Sequence, residues 1–234
     1  DRYVTIVEII DENGLSGFGE CVAGEDPLYS EEFMDSALVA IKKYFGPLLL
    51  QSSLSHPKEV TELFKPFKRN MMAKSGLETA VWDLYAKQQG LPLYKVLGGE
   101  KTEVEVGISL GLEKSDDIII EKIREKVEEG YKRIKVKIKP GRDVEMIRAI
   151  REVFPDIPLM ADANSAYTLD DIELLKQLDE FNLMMIEQPL GSTDIVDHAT
   201  LQKAIKTPVC LDESIDSYEN AKAAIELGSC EIIN

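Results

Sequence analysis

Four charged side chains recur at a constant interval in the second half of the chain. Lys137, Asp162, Glu187 and Asp212 are each 25 positions apart. An apolar run precedes each of them and a helical pattern follows. A (β/α) barrel uses roughly 30 residues for each strand–helix unit, since about 250 residues make eight units. The interval therefore predicts that the four side chains share one level at the carboxyl ends of successive strands, where barrel enzymes build their sites.

The three carboxylates in this series predict a metal site. A single carboxylate at a strand end is usually a helix cap or a solvated loop residue, but Asp162, Glu187 and Asp212 stand on consecutive units. Three converging carboxylates repel one another, and a divalent cation removes that repulsion. Because ligands that are all oxygen select a hard cation, we expect Mg²⁺, with Mn²⁺ as the alternative.

The strand 133–138 supplies two amines to the same region. Its alternation places Lys135 and Lys137 on one face and Ile134, Val136 and Ile138 on the other. On an exposed edge strand the lysines would face water. Within a βα series, helices cover the outer face, so the apolar side chains point outward and the lysines point into the barrel. Such a lysine needs anionic partners, and it can have a pKa lowered toward neutrality and act as a base.

Together, the amines and carboxylates indicate one type of reaction. A metal ion can hold a substrate carboxylate and stabilise the enediolate that forms when a lysine removes the neighbouring proton. The predicted partner is therefore a small-molecule carboxylate.

The elements that position these residues form an α/β series with a parallel sheet, open or closed. The apolar runs predict strands at 103–109, 131–138, 157–163, 183–188 and 207–212, with a sixth beginning within 230–234. Helical patterns fill the intervals at 115–129, 142–154, 168–180, 194–206 and 216–227. Near the helix starts, Asp170, Asp194 and Asp216 are candidates for capping free amides.

The first hundred residues have a different pattern, that of an α+β unit. Two alternating segments, 3–10 and 15–22, predict a hairpin across a turn that ends in Gly14. Helices are predicted at 31–45, 57–65 and 71–89. We therefore place the domain boundary after residue 98, with an α+β domain at 1–98 and a barrel domain at 99–234.

Composition narrows the class of partner. The formal net charge of −16 argues against a nucleic-acid partner, because phosphate backbones require a basic surface. No apolar run is long enough to predict a transmembrane helix, and we expect no membrane partner. Cys21, Cys210 and Cys230 lack metal-ligand spacing, so we expect reduced, packed thiols and a cytoplasmic protein.

Four segments of the second half resemble the enolase superfamily, muconate lactonizing enzyme subgroup, and most of all the o-succinylbenzoate synthase / N-acylamino acid racemase family. They are RIKVKIKPG (133–141), MADANSAYTL (160–169), MMIEQPL (184–190) and CLDESI (210–215). GFGECVA (17–23) and LETAVWDLYAKQQGLPLYKVLGG (77–99) resemble the capping domain of that family. A lysine or histidine base with one or two Mg²⁺ ions is the known arrangement in the superfamily, so the mechanism above is matched to it and not newly derived.

The resemblance implies an enolase-like fold, with an α+β capping domain that lacks its first strand and a TIM-type barrel truncated after the start of the sixth barrel strand. It implies that Lys137 is the base, and that Lys135 tunes the charge beside it and contacts the substrate carboxylate. Asp162, Glu187 and Asp212 would be the Mg²⁺ ligands. Asn164 and Glu213 are candidates for supporting or substrate-binding roles, or simply turn or capping residues.

Two further regions matter for the function that the resemblance implies. The loop Glu20–Pro27 matches the family's segment that closes over the site and helps to select the substrate, although it is also compatible with an ordinary surface loop. Family members carry another lysine on the sixth barrel strand, which would follow Asn234 by two positions. We therefore expect these 234 residues alone to be inactive, and the full-length protein to be a homo-oligomer.

Several functions remain open at this point. The first is o-succinylbenzoate synthase, a syn dehydration in menaquinone biosynthesis, and the second is racemisation of N-succinyl or other N-acyl amino acids through the same intermediate. Dipeptide epimerisation is a more distant alternative. A non-catalytic remnant kept for partner binding is the alternative from another class.

Overall fold

The computed structural model describes residues 3–234, and in it the chain divides into two compact units. The first is Asp1–Thr102 and the second is Glu103–Asn234. This division falls four residues after the predicted boundary.

The first unit combines a hairpin with helices. Its strands are β1 (Thr5–Ile10) and β2 (Ser16–Cys21), which pair antiparallel as the alternating pattern predicts. Its α-helices are α1 (Met34–Ala40), α2 (Gly46–Gln51), α3 (Glu59–Phe64), α4 (Met71–Gln88) and α5 (Leu93–Val96). Buried side chains from the hairpin and the helices form one apolar core, which includes Val7, Phe45, Val60, Phe64 and Leu77.

Two glycines let the hairpin pack closely against α4. A Cβ added to Gly17 would lie 2.3 Å from the carbonyl oxygen of Ala80, and one added to Gly19 would lie 2.1 Å from that of Gly76. Neither distance is compatible with a side chain. The backbone of β2 therefore lies directly on that of α4, and only glycine fits at these two positions.

One helix of the first unit extends further than predicted. The prediction ended it at residue 45, but a π-helical segment, Ile41–Phe45, joins α1 to α2 and carries the helix to Gln51. Gly46 donates its amide to the carbonyl of Ile41, which widens the turn just before Pro47. Because proline has no amide to donate and crowds the preceding turn, this wider turn lets the helix continue through it.

The second unit alternates strands and helices. Its strands are β3 (Gly107–Leu110), β4 (Arg133–Lys137), β5 (Leu159–Asp162), β6 (Ile186–Glu187), β7 (Val209–Leu211) and β8 (Ile232–Ile233). Its α-helices are α6 (Asp116–Glu128), α7 (Val144–Val153), α8 (Ile172–Leu175), α9 (Val196–Ala204) and α10 (Tyr218–Leu227). Short 3₁₀ segments, Leu169–Asp171 and Lys176–Phe181, flank α8, so the helix predicted at 168–180 is split into three pieces.

The six strands of the second unit form one parallel sheet in the order of the chain, from β3 to β8. Consecutive neighbours of this kind are typical of a barrel wall, whereas a doubly wound sheet reverses its order at a switch point. Apolar side chains of the strands pack against the intervening helices. The fully buried members of this core include Ile123, Ile134, Ile147, Leu159 and Leu201.

Helix caps in the second unit only partly follow the prediction. Asp194 accepts the amide of Asp197 at 2.9 Å, at the start of α9, as expected. At α10, however, the N-cap is Ser217 and not Asp216. Before α8, Thr168 and Asp171 form a capping box in place of the cap predicted for Asp170. In both cases the residue at the N-cap, Ser217 or Thr168, has the extended backbone that this position requires.

The three cysteines are free thiols, with Cys21 and Cys210 buried. Within residues 3–234, no helix is both long and apolar enough to cross a membrane.

Candidate active site

The strand β4 presents its lysines and its apolar side chains on opposite faces, as its alternation predicts. Ile134 and Val136 are fully buried in the core, while Lys135 and Lys137 are partly buried on the other face. Their side chains are 21% and 29% exposed, so each amine lies in a partly desolvated setting and not in bulk water.

The sheet register brings three of the four regularly spaced residues to one level. Lys137 pairs with Asp162, and Asp162 pairs with Glu187. Glu187, however, pairs with Cys210 and not with Asp212. The prediction of one shared level is therefore wrong for Asp212, which lies two residues beyond it. The interval along the chain does not fix the register, because the loops and helices between strands differ in length.

Lys135, Lys137, Asp162 and Glu187 form what we call the charged cluster. The Lys135 ammonium lies 2.8 Å from Glu187 Oε1 and 3.0 Å from Asp162 Oδ2, so it bridges the two carboxylates. Lys137 donates to the same Asp162 oxygen. The two carboxylates are buried, at 1% exposure for Asp162 and 0% for Glu187. Buried charges of this kind are tolerated only when they are paired, and each carboxylate here has an ammonium partner.

Burial and pairing compete in setting the pKa values of the charged cluster. Burial lowers the pKa of Lys135, but the hydrogen bonds that its ammonium donates to Glu187 and Asp162 outweigh burial, and the pKa lies above its usual value. This is the opposite of the lowered lysine pKa expected from burial alone. Burial raises the pKa of Glu187, the hydrogen bond from Lys135 opposes the change, and the negative charges of Asp162 and Asp212 add to it. Lys135 is therefore a fixed positive charge.

The two supporting candidates, Asn164 and Glu213, extend the charged cluster by one chain of contacts. Asn164 accepts a hydrogen bond from Lys137 through Oδ1 and donates through Nδ2 to Glu213 Oε1 at 2.8 Å. Its backbone amide donates to Asp162 Oδ1 at 3.1 Å, and its φ of 41° is in the left-handed region that asparagine tolerates. The structure thus brings both candidates into contact with the site.

The oxygen atoms available at this site are of the kind that bind a divalent cation. Asp162 and Glu187 already converge on one cation, the Lys135 ammonium, and the charge of Asp212 acts on Glu187. Glu213 Oε2 is buried without a hydrogen-bond donor, which is the setting for a cation or water. Among residues 3–234, however, no group of three or more His, Cys, Asp or Glu side chains is arranged to hold a metal ion. The grouping of Asp162, Glu187 and Asp212 around one ion therefore stays a prediction.

A residue that the sequence analysis did not single out lies beside the charged cluster. Gln188 follows Glu187 directly, is 0% exposed and has a φ of 37°. Its side-chain oxygen accepts the amides of Asp212 at 3.0 Å and Ser214 at 3.2 Å. The only signals in the sequence are an amide residue beside a predicted ligand and a following proline, and neither predicts these contacts.

Gln188, Ser214 and His198 form what we call the neutral network. The Gln188 amide donates to Ser214 Oγ at 2.6 Å, and that hydroxyl donates to the Asp194 carbonyl at 3.1 Å. His198 Nε2 accepts the Leu190 amide at 3.1 Å, so the proton is on Nδ1, which contacts the Asp194 carbonyl at 2.7 Å. Burial lowers the pKa of His198, consistent with a neutral ring. Both ring nitrogens contact backbone groups of the loop between β6 and α9, which is the arrangement of a structural histidine.

Comparison with known proteins gives the same assignment for both units. Residues 1–98 match the family model of the mandelate racemase / muconate lactonizing enzyme N-terminal domain, and residues 119–234 match that of the enolase C-terminal domain-like family.

Curated relatives and solved structures agree with these matches. The chain is 55% identical to an o-succinylbenzoate synthase of Geobacillus kaustophilus over 98% of this chain and 61% of that protein. It is 46% identical to an N-succinylamino acid racemase of Thermus thermophilus over 100% of this chain and 63% of that protein. A crystal structure of an enolase superfamily member from Listeria innocua superposes with a TM-score of 0.95 at 44% identity, covering 99% of this chain and 62% of that one.

The chain thus spans about three fifths of the length of the relatives that it matches. Members of their superfamily generally use Mg²⁺. The α+β unit is followed by consecutive parallel strands that carry paired lysines and buried carboxylates. These features agree with the matches over both units, and we conclude that the chain belongs to the enolase superfamily.

Proposed function

We propose that the full-length protein, meaning the longest natural polypeptide that contains these residues, is an o-succinylbenzoate synthase acting in menaquinone biosynthesis. The observation that carries this proposal is the charged cluster, in which two amines from β4 face two buried carboxylates. Relatives named o-succinylbenzoate synthase are 52–55% identical to the chain. The reaction removes a proton next to a substrate carboxylate and then expels hydroxide, so that one water is lost.

Each residue of the charged cluster has a part in this chemistry. Lys137, in its neutral form, takes the proton from the carbon beside the substrate carboxylate, and the ammonium that results is held by Asp162 and Asn164. Lys135 has a raised pKa and stays protonated, so it attracts the substrate carboxylate and opposes the build-up of negative charge. Asp162, Glu187 and Asp212 would hold Mg²⁺, which as a Lewis acid would stabilise the enediolate.

A second candidate function is racemisation of N-succinylamino acids. It is favoured by the 46% identity to an N-succinylamino acid racemase over the whole chain. Racemisation uses the same proton removal beside a carboxylate, but returns a proton to the opposite face instead of expelling hydroxide. The same Lys137 therefore serves both reactions, and the two activities are compatible within one site.

Assays of the full-length protein with both substrates separate these functions. Formation of o-succinylbenzoate is followed by absorbance, and racemisation of an N-succinylamino acid by loss of optical rotation, each with and without a chelator. We expect the dehydration to be faster and both rates to collapse on chelation, recovering with Mg²⁺ or Mn²⁺. A dehydration rate that is unchanged by complete metal removal would contradict the proposal.

The prediction that these 234 residues alone lack turnover is tested by the same assay. Racemisation and full acid–base control need groups on both faces of the substrate, and the described lysines of the charged cluster all come from one strand, β4. We expect no measurable rate from the 234-residue chain and a normal rate from the full-length protein. Turnover by the shorter chain would show that Lys135 and Lys137 suffice.

A further inference from the structure

Gln188 occupies a position that a glutamine does not readily adopt. It is completely buried, and its φ of 37° is in the left-handed region, which costs energy for a residue with a Cβ. Backbone strain of this kind persists only when the surroundings hold the residue in place, and it clusters at functional sites. The position immediately after Glu187 puts this strain directly beside the charged cluster.

The side chain of Gln188 uses both ends of its amide. Oε1 accepts the backbone amides of Asp212 and Ser214. Nε2 donates to Ser214 Oγ at 2.6 Å, and also faces the carbonyls of Gly191 at 3.2 Å and Leu190 at 3.3 Å. Because Oε1 receives two N–H groups and Nε2 faces oxygens alone, the network fixes the orientation of the amide.

The backbone of Gln188 joins two further segments to the same point. Its amide donates to the carbonyl of Cys210 at 2.8 Å, and its carbonyl accepts the amide of Ser165 at 2.8 Å. Ser165 belongs to the turn that follows Asp162, and Cys210 lies two residues before Asp212. One residue therefore ties together the strand ends that carry Asp162, Glu187 and Asp212.

We propose that Gln188 is a positioning residue, whose buried amide holds the backbone of Asp212 against the end of β6 so that the Asp212 carboxylate serves the same divalent cation as Asp162 and Glu187. The sheet register leaves Asp212 two residues beyond the level of the other two carboxylates. The Gln188 Oε1 contact to the Asp212 amide is the bond that fixes the chain at that extra distance. The proposal rests on the proposed function, since it assumes a metal-dependent site.

Two substitutions test the proposal by different routes. Gln188→Met has a similar volume and no hydrogen-bonding amide. Gln188→Asn keeps an amide and suits a positive φ better, so we expect it to fold even if the Met variant does not. Its side chain is one methylene too short to reach all of the Gln188 partners. Ile150→Ala, a fully buried site on α7 outside the neutral network, is the control for a general loss of stability.

The measurement is the dissociation constant for Mn²⁺ in the full-length protein, by titration calorimetry, with melting temperatures recorded alongside. Loss of a residue that orients a ligand typically weakens metal binding by about 10- to 100-fold, and we expect this for both Gln188 variants. Ile150→Ala should lower the melting temperature and leave the Mn²⁺ constant unchanged. A folded Gln188→Asn with wild-type Mn²⁺ affinity would overturn the inference, whereas a wild type that binds no Mn²⁺ would instead overturn the proposed function.

Discussion

The charged cluster and the neutral network are adjacent buried polar regions that satisfy their polar groups in different ways. They meet at Glu187 and Gln188, which are consecutive in the chain and equally buried. In the charged cluster, ammonium groups and carboxylates neutralise one another in pairs. In the neutral network, amide, hydroxyl and imidazole groups satisfy one another and the backbone of the loop between β6 and α9.

The two kinds of interaction suit different roles, one in the reaction and one in positioning the groups that react. Buried ion pairs contribute little net stability, because desolvation offsets their attraction, but removing one partner leaves an uncompensated charge. Neutral hydrogen bonds are individually modest, and they rigidify a site when every member is satisfied. We infer that the charged cluster holds groups that can exchange partners with a substrate and a metal ion, while the neutral network keeps the strand ends fixed during that exchange.

The largest effect is expected from replacing Lys137, the proposed general base of the charged cluster. Lys137→Met removes the group that we assign to proton transfer, and general-base catalysis is worth about 10²- to 10⁴-fold in rate. The rate of o-succinylbenzoate formation by the full-length protein should fall by that factor. Asp162 keeps its contact with Lys135, so the melting temperature should change little.

Lys139→Met is the matched control for this change, since Lys139 lies two residues further along and is exposed. It should retain the wild-type rate. Equal loss of rate in the two lysine variants would show that the basic charge of this segment, and not the Lys137 amine, matters.

The next effect breaks the pairing inside the charged cluster. Lys135→Met leaves the carboxylate of Glu187 buried without its ammonium partner. Removing one partner of a buried ion pair costs about 3 kcal/mol at the low end of the usual range. We expect the low end because the Lys135 side chain is 21% exposed. The free energy of unfolding, from urea titration at neutral pH, should fall accordingly. Lys135→Met combined with Glu187→Gln removes both charges and should recover part of the loss. A double variant less stable than the single one would contradict this account.

Much of the fold could be predicted from local patterns. The alternation of Lys135 and Lys137 with buried apolar residues correctly gave the two faces of β4, and the strand–helix rhythm gave a parallel sheet. The helix through Pro47 was missed because a π turn, which depends on a single Gly46–Ile41 hydrogen bond, cannot be read from apolar periodicity.

For the candidate site, the sequence predicted which charged side chains come together better than it predicted their geometry. Spacing along the chain identified Lys137, Asp162 and Glu187, which the register places together. Spacing also singled out Asp212 but placed it at the wrong level, because strand register depends on loop lengths and packing across the sheet. Gln188 was missed because its partners at Asp212 and Ser214 are more than 20 residues away in sequence.

The smallest effect tests whether the neutral network must stay neutral. Burial lowers the pKa of His198 in the folded chain, and the Leu190 amide points at Nε2, so a second ring proton has no acceptor. The unfolded chain, with a histidine pKa of about 6.5, therefore takes up this proton first as the pH falls. The contribution of His198 to stability is complete above about pH 6.5 and is lost progressively below it, toward the lower folded-state pKa.

Unfolding in urea at pH 7.5 and at pH 5.5 measures this contribution. His198→Gln keeps an acceptor near the Leu190 amide but removes the titrating ring, so it should lose less stability than the wild type between the two pH values. His56→Gln, in the first unit, is the control for removing a histidine and should keep the wild-type difference. If His198→Gln keeps the full wild-type difference, the acid sensitivity does not come from the buried ring, and the neutral network does not depend on His198 staying neutral.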